Sequence, residues 1–551
     1  MGYGYKITVT PIFNEIGCED IIKKNQDSFN SFCDDLNMFN KPEPYEQFVD
    51  LLNEIAQKAN KSIFTMTVKD LVFKKEQLSV RTAINKCSND CLQKMFIVLK
   101  VFNEKVKDLL PYIDFSKALH NKMRLSAYYN KITPLIFWDS KYEIIKSNLE
   151  KTSVNTETFE LKINRLKVKK FIEKGVPDHL GVHTIYGQIF QHLKQYPFKI
   201  FRKKEGGNSC KIFHVQFQGE ASIDAGGPYR ECLSQAIGEL QSPALPLFMQ
   251  SPNQKNEAGS FREKWIVNPS STSLTHLQMY EMLGGLIGYA MRTGEFLNMD
   301  LPSLFWKSLL EVPLERKDLE KVDKYTIQCL DDIAHCTQEA FESYSDQKFT
   351  TIISNGNEVE ICPNGRNINL TYDNRMLYCE LAEKARLNEG KVQMDAIRSG
   401  LEKVIPVGLL KLLSWNELEM LVCGKPILDI ELLKENTKYR GCSENDQIIQ
   451  FFWKCLEEFT AEERSMYLRF VWGRSRLPLT SKDFQMQHRV EIMHHAHPDI
   501  ALPQSHTCFF SLEIPKYSTY EILKEKLKYA ITHCQAIDTD GNANEVWDDE
   551  E

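Results

Sequence analysis

The 551-residue sequence lacks any apolar run long enough to cross a bilayer; its most apolar stretch, Met95 to Leu99, is far too short. It lacks a strong excess of either charge. Lys plus Arg number 68 against 75 Asp plus Glu, a formal net charge of −7, which gives no sign of a nucleic-acid binder. Met1-Gly2-Tyr3-Gly4-Tyr5-Lys6 has neither the apolar core of a secretory signal nor the Ser or Thr of a myristoylation signal. The 15 cysteines are an odd number, and reduced thiols in the cytosol or nucleus are the economical expectation. No period of propeller length recurs. Gly226-Gly227 lacks the Gly-x-x-x-x-Gly-Lys arrangement of a nucleotide loop. Cys87-Ser-Asn-Asp-Cys91 has no second pair at ligand spacing, and His494-His495-Ala496-His497 has no partners at metal spacing, so neither a metal nor a cofactor is expected.

What is present is ordinary for a folded protein of two to four domains: 42% hydrophobic and 26% charged residues. Residues 5 to 11 alternate like a strand, either the remnant of an upstream domain or a partner for a later one. Residues 15 to 160 read as helical, most clearly where Leu92, Met95, Phe96, Leu99, Phe102, Val106 and Leu109 keep helical spacing before Pro111. Leu161 to Lys174 is lysine-rich, either a solvated helix face or a surface for an acidic partner. Phe213, Val215 and Phe217 form a strand, and Gly226-Gly227-Pro228 then turns sharply into a helix, with Asp224 and Arg230 expected to tie the turn.

Met279 to Leu297 is a helix whose Gly284, Gly285 and Gly288 imply a close helical neighbour, because glycine costs a helix roughly 1 kcal/mol each. Residues 311 to 375 look like a small separate sub-lobe, with helices around Leu319, Val322, Ile327, Leu330 and Ile333 and a hairpin across Asn355-Gly356. One long helix is expected from Asn374 to Val404. Ser414-x-x-Glu417, Thr460-x-x-Glu463 and Ser518-x-x-Glu521 read as capping boxes. Residues 435 to 441 are polar, end in glycine and read as a connector. Helices and strands in this mixture make the expected fold class α+β.

The informative stretch is Leu502-Pro503-Gln504-Ser505-His506-Thr507-Cys508-Phe509-Phe510. Cys508, Phe510, Leu512 and Ile514 alternate with Thr507, Phe509, Ser511 and Glu513, the period of a strand ending at Pro515. Cys508 then sits where a loop becomes a strand, with His506 on the same side if the strand reaches back that far. A thiol beside an imidazole is a candidate nucleophile; a buried core cysteine fits the alternation equally well.

Leu-Pro-x-Ser-His-Thr-Cys-Phe, followed by the strand and by Tyr-x-x-Leu-x-x-Lys-Leu-x-x-Ala-Ile, resembles the end of a HECT-type ubiquitin ligase, most similar to the large HERC subgroup. Gly219-Glu220 through Asp224, Gly226, Gly227, Arg230 and Glu231 matches the opening signature of the same catalytic domain. The resemblance implies a bilobal domain: an amino-terminal lobe over 200–434, a hinge at 435–441 including Asn436 and Gly441, and a carboxyl-terminal lobe over 442–545. A helical region over 15–199 precedes it and an acidic tail follows over 546–551. It implies that Cys508 accepts ubiquitin as a thioester from a conjugating enzyme, with His506, Thr507 and Phe509 in support, and hands it to a lysine of a protein substrate. It implies that the sub-lobe docks the conjugating enzyme, with Leu330 and Ile333 chosen for that surface, and that Trp547 is a candidate for orienting the lobes. Two other readings stay open: a scaffold that binds conjugating enzyme or ubiquitin without a thioester, and a thiol hydrolase, for which no orienting Asp or Asn is identified.

Overall fold

The computed structural model describes residues 43–533 apart from 60, 80, 82, 110–131, 205–209, 219–226, 260–261, 345, 425–427, 473–475, 479–480, 482–483 and 485. The strand expected over 5–11, the start of the helical region, Pro111, Asp224, Gly226 and the acidic tail with Trp547 lie outside the described residues. Two compact units divide the chain. One holds residues 43–155 with Leu310–Val312 and Glu402–Leu418; the other holds Thr156–Leu309, Pro313–Leu401 and residues 419–533.

In the first unit the principal helices are α1 (Glu43–Lys58), α2 (Asn89–Leu109) and α3 (Trp138–Lys151). The apolar stripe read from α2 is its buried face: Leu92, Met95, Phe96, Leu99, Phe102 and Val106 are shut off from solvent. Asn103 lies in that core fully bonded, giving its amide to the carbonyls of Leu99 and Leu135 and accepting from Phe137 N–H. The Ser414–Glu417 capping box forms, with Ser414 N–H 2.8 Å from Glu417 Oε2. The same carboxylate holds Lys141 Nζ at 2.9 Å through both oxygens, a buried pair.

The second unit is a mixture of helices and small sheets. β1 (Phe159–Ile163) runs parallel to β2 (Phe213–Phe217), and between them lie α4 (Arg165–Ile172) and α5 (Ile185–Leu193). α6 (Gly227–Leu240) follows, then the antiparallel pair β3 (Phe248–Gln250) and β4 (Trp265–Val267). α7 (Leu274–Thr293) is the glycine-bearing helix and is buried along almost its whole length. Its close neighbour is α10 (Lys391–Glu402). A Cβ on Gly284 would sit 1.8 Å from Ile397 O, and one on Gly400 would sit 1.8 Å from Glu281 O. Backbone touches backbone at that crossing, as the glycines imply.

α8 (Lys324–His335), the hairpin β5 (Thr350–Ile352) and β6 (Glu358–Glu360), and α9 (Arg375–Leu387) come between α7 and α10. Gly356 takes φ 85° in the hairpin turn, as Asn-Gly at that place predicts. The expected single helix from Asn374 to Val404 is two. It breaks at Asn388–Gly390, where a Cβ on Gly390 would lie 2.3 Å from the Val267 side chain, so the chain needs a bare backbone to pass β4.

The chain ends in a four-stranded sheet of order β7-β8-β10-β9: β7 (Thr437–Arg440), β8 (His488–Met493), β9 (Gln504–His506) and β10 (Ser511–Pro515). β7 and β10 are parallel to β8, and β9 is antiparallel to β10. Helices α11 (Gln447–Glu458), α12 (Ala461–Trp472) and α13 (Tyr520–His533) complete the core around Phe452, Leu456, Leu468, Val490, Leu512 and Leu527. The stretch expected as a connector, 435 to 441, thus contains an edge strand. Its composition hid this because an edge strand needs little apolar alternation. The Thr460–Glu463 box caps α12 as expected. Ahead of α13 the structure corrects the sequence reading: Thr519 Oγ1 accepts from Ile522 N–H at the helix start, and the Ser518 hydroxyl bonds Asp499 instead.

Candidate active site

The strand expected through Cys508 is a hairpin-like reversal. β9 and β10 pair with His506 opposite Ser511 and Gln504 opposite Glu513, and Thr507–Phe509 between them is a 3-10 turn. Cys508 therefore sits at the middle of a turn, and His506 and Cys508 do not share one strand face. The turn closes on Phe510, which takes the left-handed conformation at φ 48°, ψ 50°. Alternation could not reveal this, because an apolar residue in a left-handed position gives no glycine or asparagine signal.

Packing explains how Phe510 stays there. Its ring is buried and stacks on Trp472 at 4.3 Å and 9°, while the His488 ring meets it at 4.9 Å. Its carbonyl accepts Arg489 N–H at 2.9 Å, which ties the turn to β8. Phe509 points the other way and is 59% exposed. The turn rests on α12 and on α6. His506 Nε2 lies 3.2 Å from Glu513 Oε1, across the β9–β10 pair, and both side chains are partly exposed. His506 thus has an acidic partner on the neighbouring strand, and Thr507 is half-buried.

His488 is the residue that sequence reasoning missed. It is fully buried, with Nδ1 2.8 Å from Thr437 Oγ1 and Nε2 2.8 Å from Tyr467 Oη. Burial pushes its imidazole down from 6.5 to about 3. The alternation His488, Val490, Ile492 was a signal that could have placed it inward.

The other predicted residues serve structure in varied ways. Arg230 Nε reaches Glu295 at 3.3 Å, and Glu231 pairs with Arg165, whose guanidinium lies 3.9 Å from the Phe217 ring centre. Gly227 opens α6. Asn436 is buried, donating to Leu432 O at 2.8 Å and Ser481 Oγ at 3.1 Å, and Gly441 takes φ 70°, which explains glycine there. Leu330 and Ile333 are 4% and 6% exposed and pack with Phe341, Phe349, Leu370 and Tyr378. This corrects their choice as a docking surface: the apolar face of α8 is the one its own small core needs. The outer side of α8 instead lines an open groove of about 450 Å³ with Asp331, Asp332, His335, Cys336, Ala340 and Tyr344.

Among the described residues no group of three or more His, Cys, Asp or Glu side chains is placed to hold a metal ion, and no helix is long and apolar enough to cross a membrane. The His494–His497 segment is exposed.

The cysteine motif thus lies on a turn at the edge of a small sheet, in a chain of mixed α+β make-up. The family model for the HECT domain, described as a ubiquitin-transferase, matches residues 234–539, more than half of the chain. The chain belongs to the HECT-domain family. It is 37% identical over 394 residues to the E3 ubiquitin-protein ligase HERC2 of Homo sapiens, covering 70% of this chain and 8% of that protein. It is 29% identical over 484 residues to the probable E3 ubiquitin-protein ligase HECTD4 of Homo sapiens, covering 80% and 12%. With the E3 ubiquitin-protein ligase RSP5 of Chaetomium thermophilum it shares 31% over 349 residues, covering 62% and 41%. The chain thus spans under a tenth of HERC2.

Proposed function

We propose that this chain accepts ubiquitin from a conjugating enzyme as a thioester on Cys508 and passes it to a lysine of a protein substrate. The observation that carries the reading is the position of Cys508 at the middle of a turn clamped from beneath by Phe510, inside a chain of the HECT family. The Cys508 thiolate attacks the carbonyl carbon of the incoming thioester, and the conjugating enzyme's cysteine leaves as thiolate. A substrate amine then attacks the new thioester, loses a proton and displaces the Cys508 thiolate, leaving an isopeptide bond. The first step exchanges one thioester for another, so it needs positioning more than driving force. A cysteine thiol is a few per cent ionised at neutral pH and already nucleophilic, so no strong base is required.

The elements from residue 200 to 424 act as the amino-terminal lobe and those from 428 onward as the carboxyl-terminal lobe, because Leu428, Leu432 and Leu433 share the core of the final sheet and β7 pairs with β8; the hinge therefore falls ahead of the expected 435–441, and the preceding helices act as support. The groove outside α8 receives the conjugating enzyme, through Ala340 and Tyr344 with the acidic Asp331 and Asp332 at its edge. The exposed Phe509 ring lies beside the acceptor and offers a surface to the ubiquitin tail. His506, paired with Glu513, orients the β9 side of the turn. The odd count of 15 cysteines supports reduced thiols and, with them, a cytosolic or nuclear setting.

The test mixes the chain with ubiquitin-charged conjugating enzyme and separates the products without reductant. A reductant-sensitive ubiquitin adduct that disappears in Cys508→Ala is the expected result. Absence of an adduct with each of several conjugating enzymes, despite binding, would leave a scaffold instead of a transferase.

A further inference from the structure

We propose that His488 is a positioning residue for Cys508: tied to Thr437 and Tyr467 as a neutral imidazole, it holds Phe510 and thereby the turn that carries the acceptor thiol. The inference rests on the reading of Cys508 as acceptor.

Hydrogen-bond directions define the imidazole. Thr437 Oγ1 is 2.6 Å from Leu433 O, so its proton goes to that carbonyl and its lone pair faces His488 Nδ1. Nδ1 therefore carries the ring proton. Nε2 is left bare and accepts the Tyr467 hydroxyl at 2.8 Å. Each group in the chain Tyr467, His488, Thr437, Leu433 has one role, and one tautomer fits it. The surroundings keep it neutral. Phe452 and Trp453 of α11, Tyr467 of α12 and Phe510 surround the ring. Among the described residues, the buried titratable groups on α11 and α12 are Tyr467, held well above its usual range, and Cys455, pushed up to about 12 by burial, while Lys454, Glu457, Glu458, Glu463, Arg464 and Arg469 lie outside the core. Tyr439 of β7 bonds Trp453 Nε1, and Lys434 lies 5.6 Å over the Trp453 ring.

The clamp has something to hold. A left-handed conformation is disfavoured for an L-residue with a bulky side chain, so Phe510, at φ 48°, stays in it only while its ring is gripped. Trp472 stacks on the ring, His488 also meets it, and the next residue of β8, Arg489, bonds its carbonyl. His488 is fixed in turn by β7, through Thr437, and by α12, through Tyr467. The geometry of the cysteine turn is thereby tied to the strand that begins the final sheet.

Thr437→Val and Tyr467→Phe each remove one hydroxyl and keep the shape, and Thr437→Ser restores the hydroxyl. Two readings are taken on folded protein: the single-turnover rate of thioester formation at increasing charged conjugating enzyme, and the rate at which iodoacetamide alkylates Cys508, followed by peptide mass spectrometry. We expect Thr437→Val and Tyr467→Phe each to slow thioester formation by about tenfold with half-saturation unchanged, and Thr437→Ser to stay within about twofold of the parent. Alkylation of Cys508 should change severalfold in the first two, while Cys336 and Cys442 react as before. The double variant should be no slower than the slower single one, because one imidazole serves both bonds. Lowered melting temperatures with parental rates in both assays would overturn the proposal and leave His488 a core residue. If the parent chain forms no thioester, the acceptor reading fails, and parental alkylation rates in both variants would overturn the clamp separately.

Discussion

At the scale of the residue, a buried imidazole makes the final sheet sensitive to acid. His488 is neutral in the fold down to about pH 3, while in the unfolded chain it takes up a proton near its ordinary 6.5. Above pH 6.5 both states are neutral and the fold has its full stability from this group. As pH falls from 6.5 toward 3, only the unfolded chain binds the proton, so stability is lost at about 1.4 kcal/mol per pH unit. His488→Phe keeps a ring in the core and removes the titration. Urea midpoints measured from pH 7 to 4.5 should therefore fall more steeply for the parent than for the variant; parallel curves would mean the group titrates alike in both states. His506 is a contrasting case, partly exposed and paired with Glu513. Two histidines of the final sheet thus sit in opposite settings, and burial is what separates them.

At the scale of the element, glycine does opposite things in two helices. A Cβ on Gly284 of α7 would lie 1.8 Å from the backbone oxygen of Ile397, which cannot swing aside as a side chain does. Gly238, in α6, has nothing within 4 Å of its built Cβ. Gly284→Ala should destabilise the protein by about 3 kcal/mol or more through forced separation of α7 and α10. Gly238→Ala should stabilise it by about 0.5–1 kcal/mol through helix propensity alone. Denaturant midpoints moving in opposite directions would confirm the difference, and equal shifts would remove the packing argument. α8 obeys the same logic: its apolar stripe satisfies a small core first, which leaves Asp331, Asp332 and His335 facing the open groove.

At the scale of the whole molecule, two ion pairs link the last elements to earlier ones. Arg476 Nη2 holds Glu419 at 2.9 Å with both side chains nearly covered, whereas Arg469 Nη2 holds Asp300 at 3.0 Å with the arginine 45% exposed. Solvent weakens the second pair, so Arg469→Ala should cost at most about 1 kcal/mol. Glu419→Ala leaves a covered guanidinium without that carboxylate and should cost about 3 kcal/mol or more. Thermal unfolding of the two variants separates them; a Glu419→Ala protein as stable as the parent would show that the pair is not buried in solution. The two pairs thus differ in strength because solvent reaches one and not the other.

Much of this protein follows from sequence alone. The motif around Cys508, the glycine-marked helix crossing, the Asn-Gly hairpin and the caps at Ser414 and Thr460 are written in local residue types, because the forces behind them act over a few residues. Tertiary structure decided the rest. It turned an apparent strand through Cys508 into two strands and a turn, since the grip of Trp472 and His488 holds Phe510 in a conformation its own chemistry disfavours. It broke the 374–404 helix where β4 passes too close for a side chain, and it turned Leu330 and Ile333 inward. It also placed His488 between Thr437 and Tyr467, residues 51 and 21 positions away in sequence. Periodicity reports which side of an element is apolar; only the folded chain determines what that side meets.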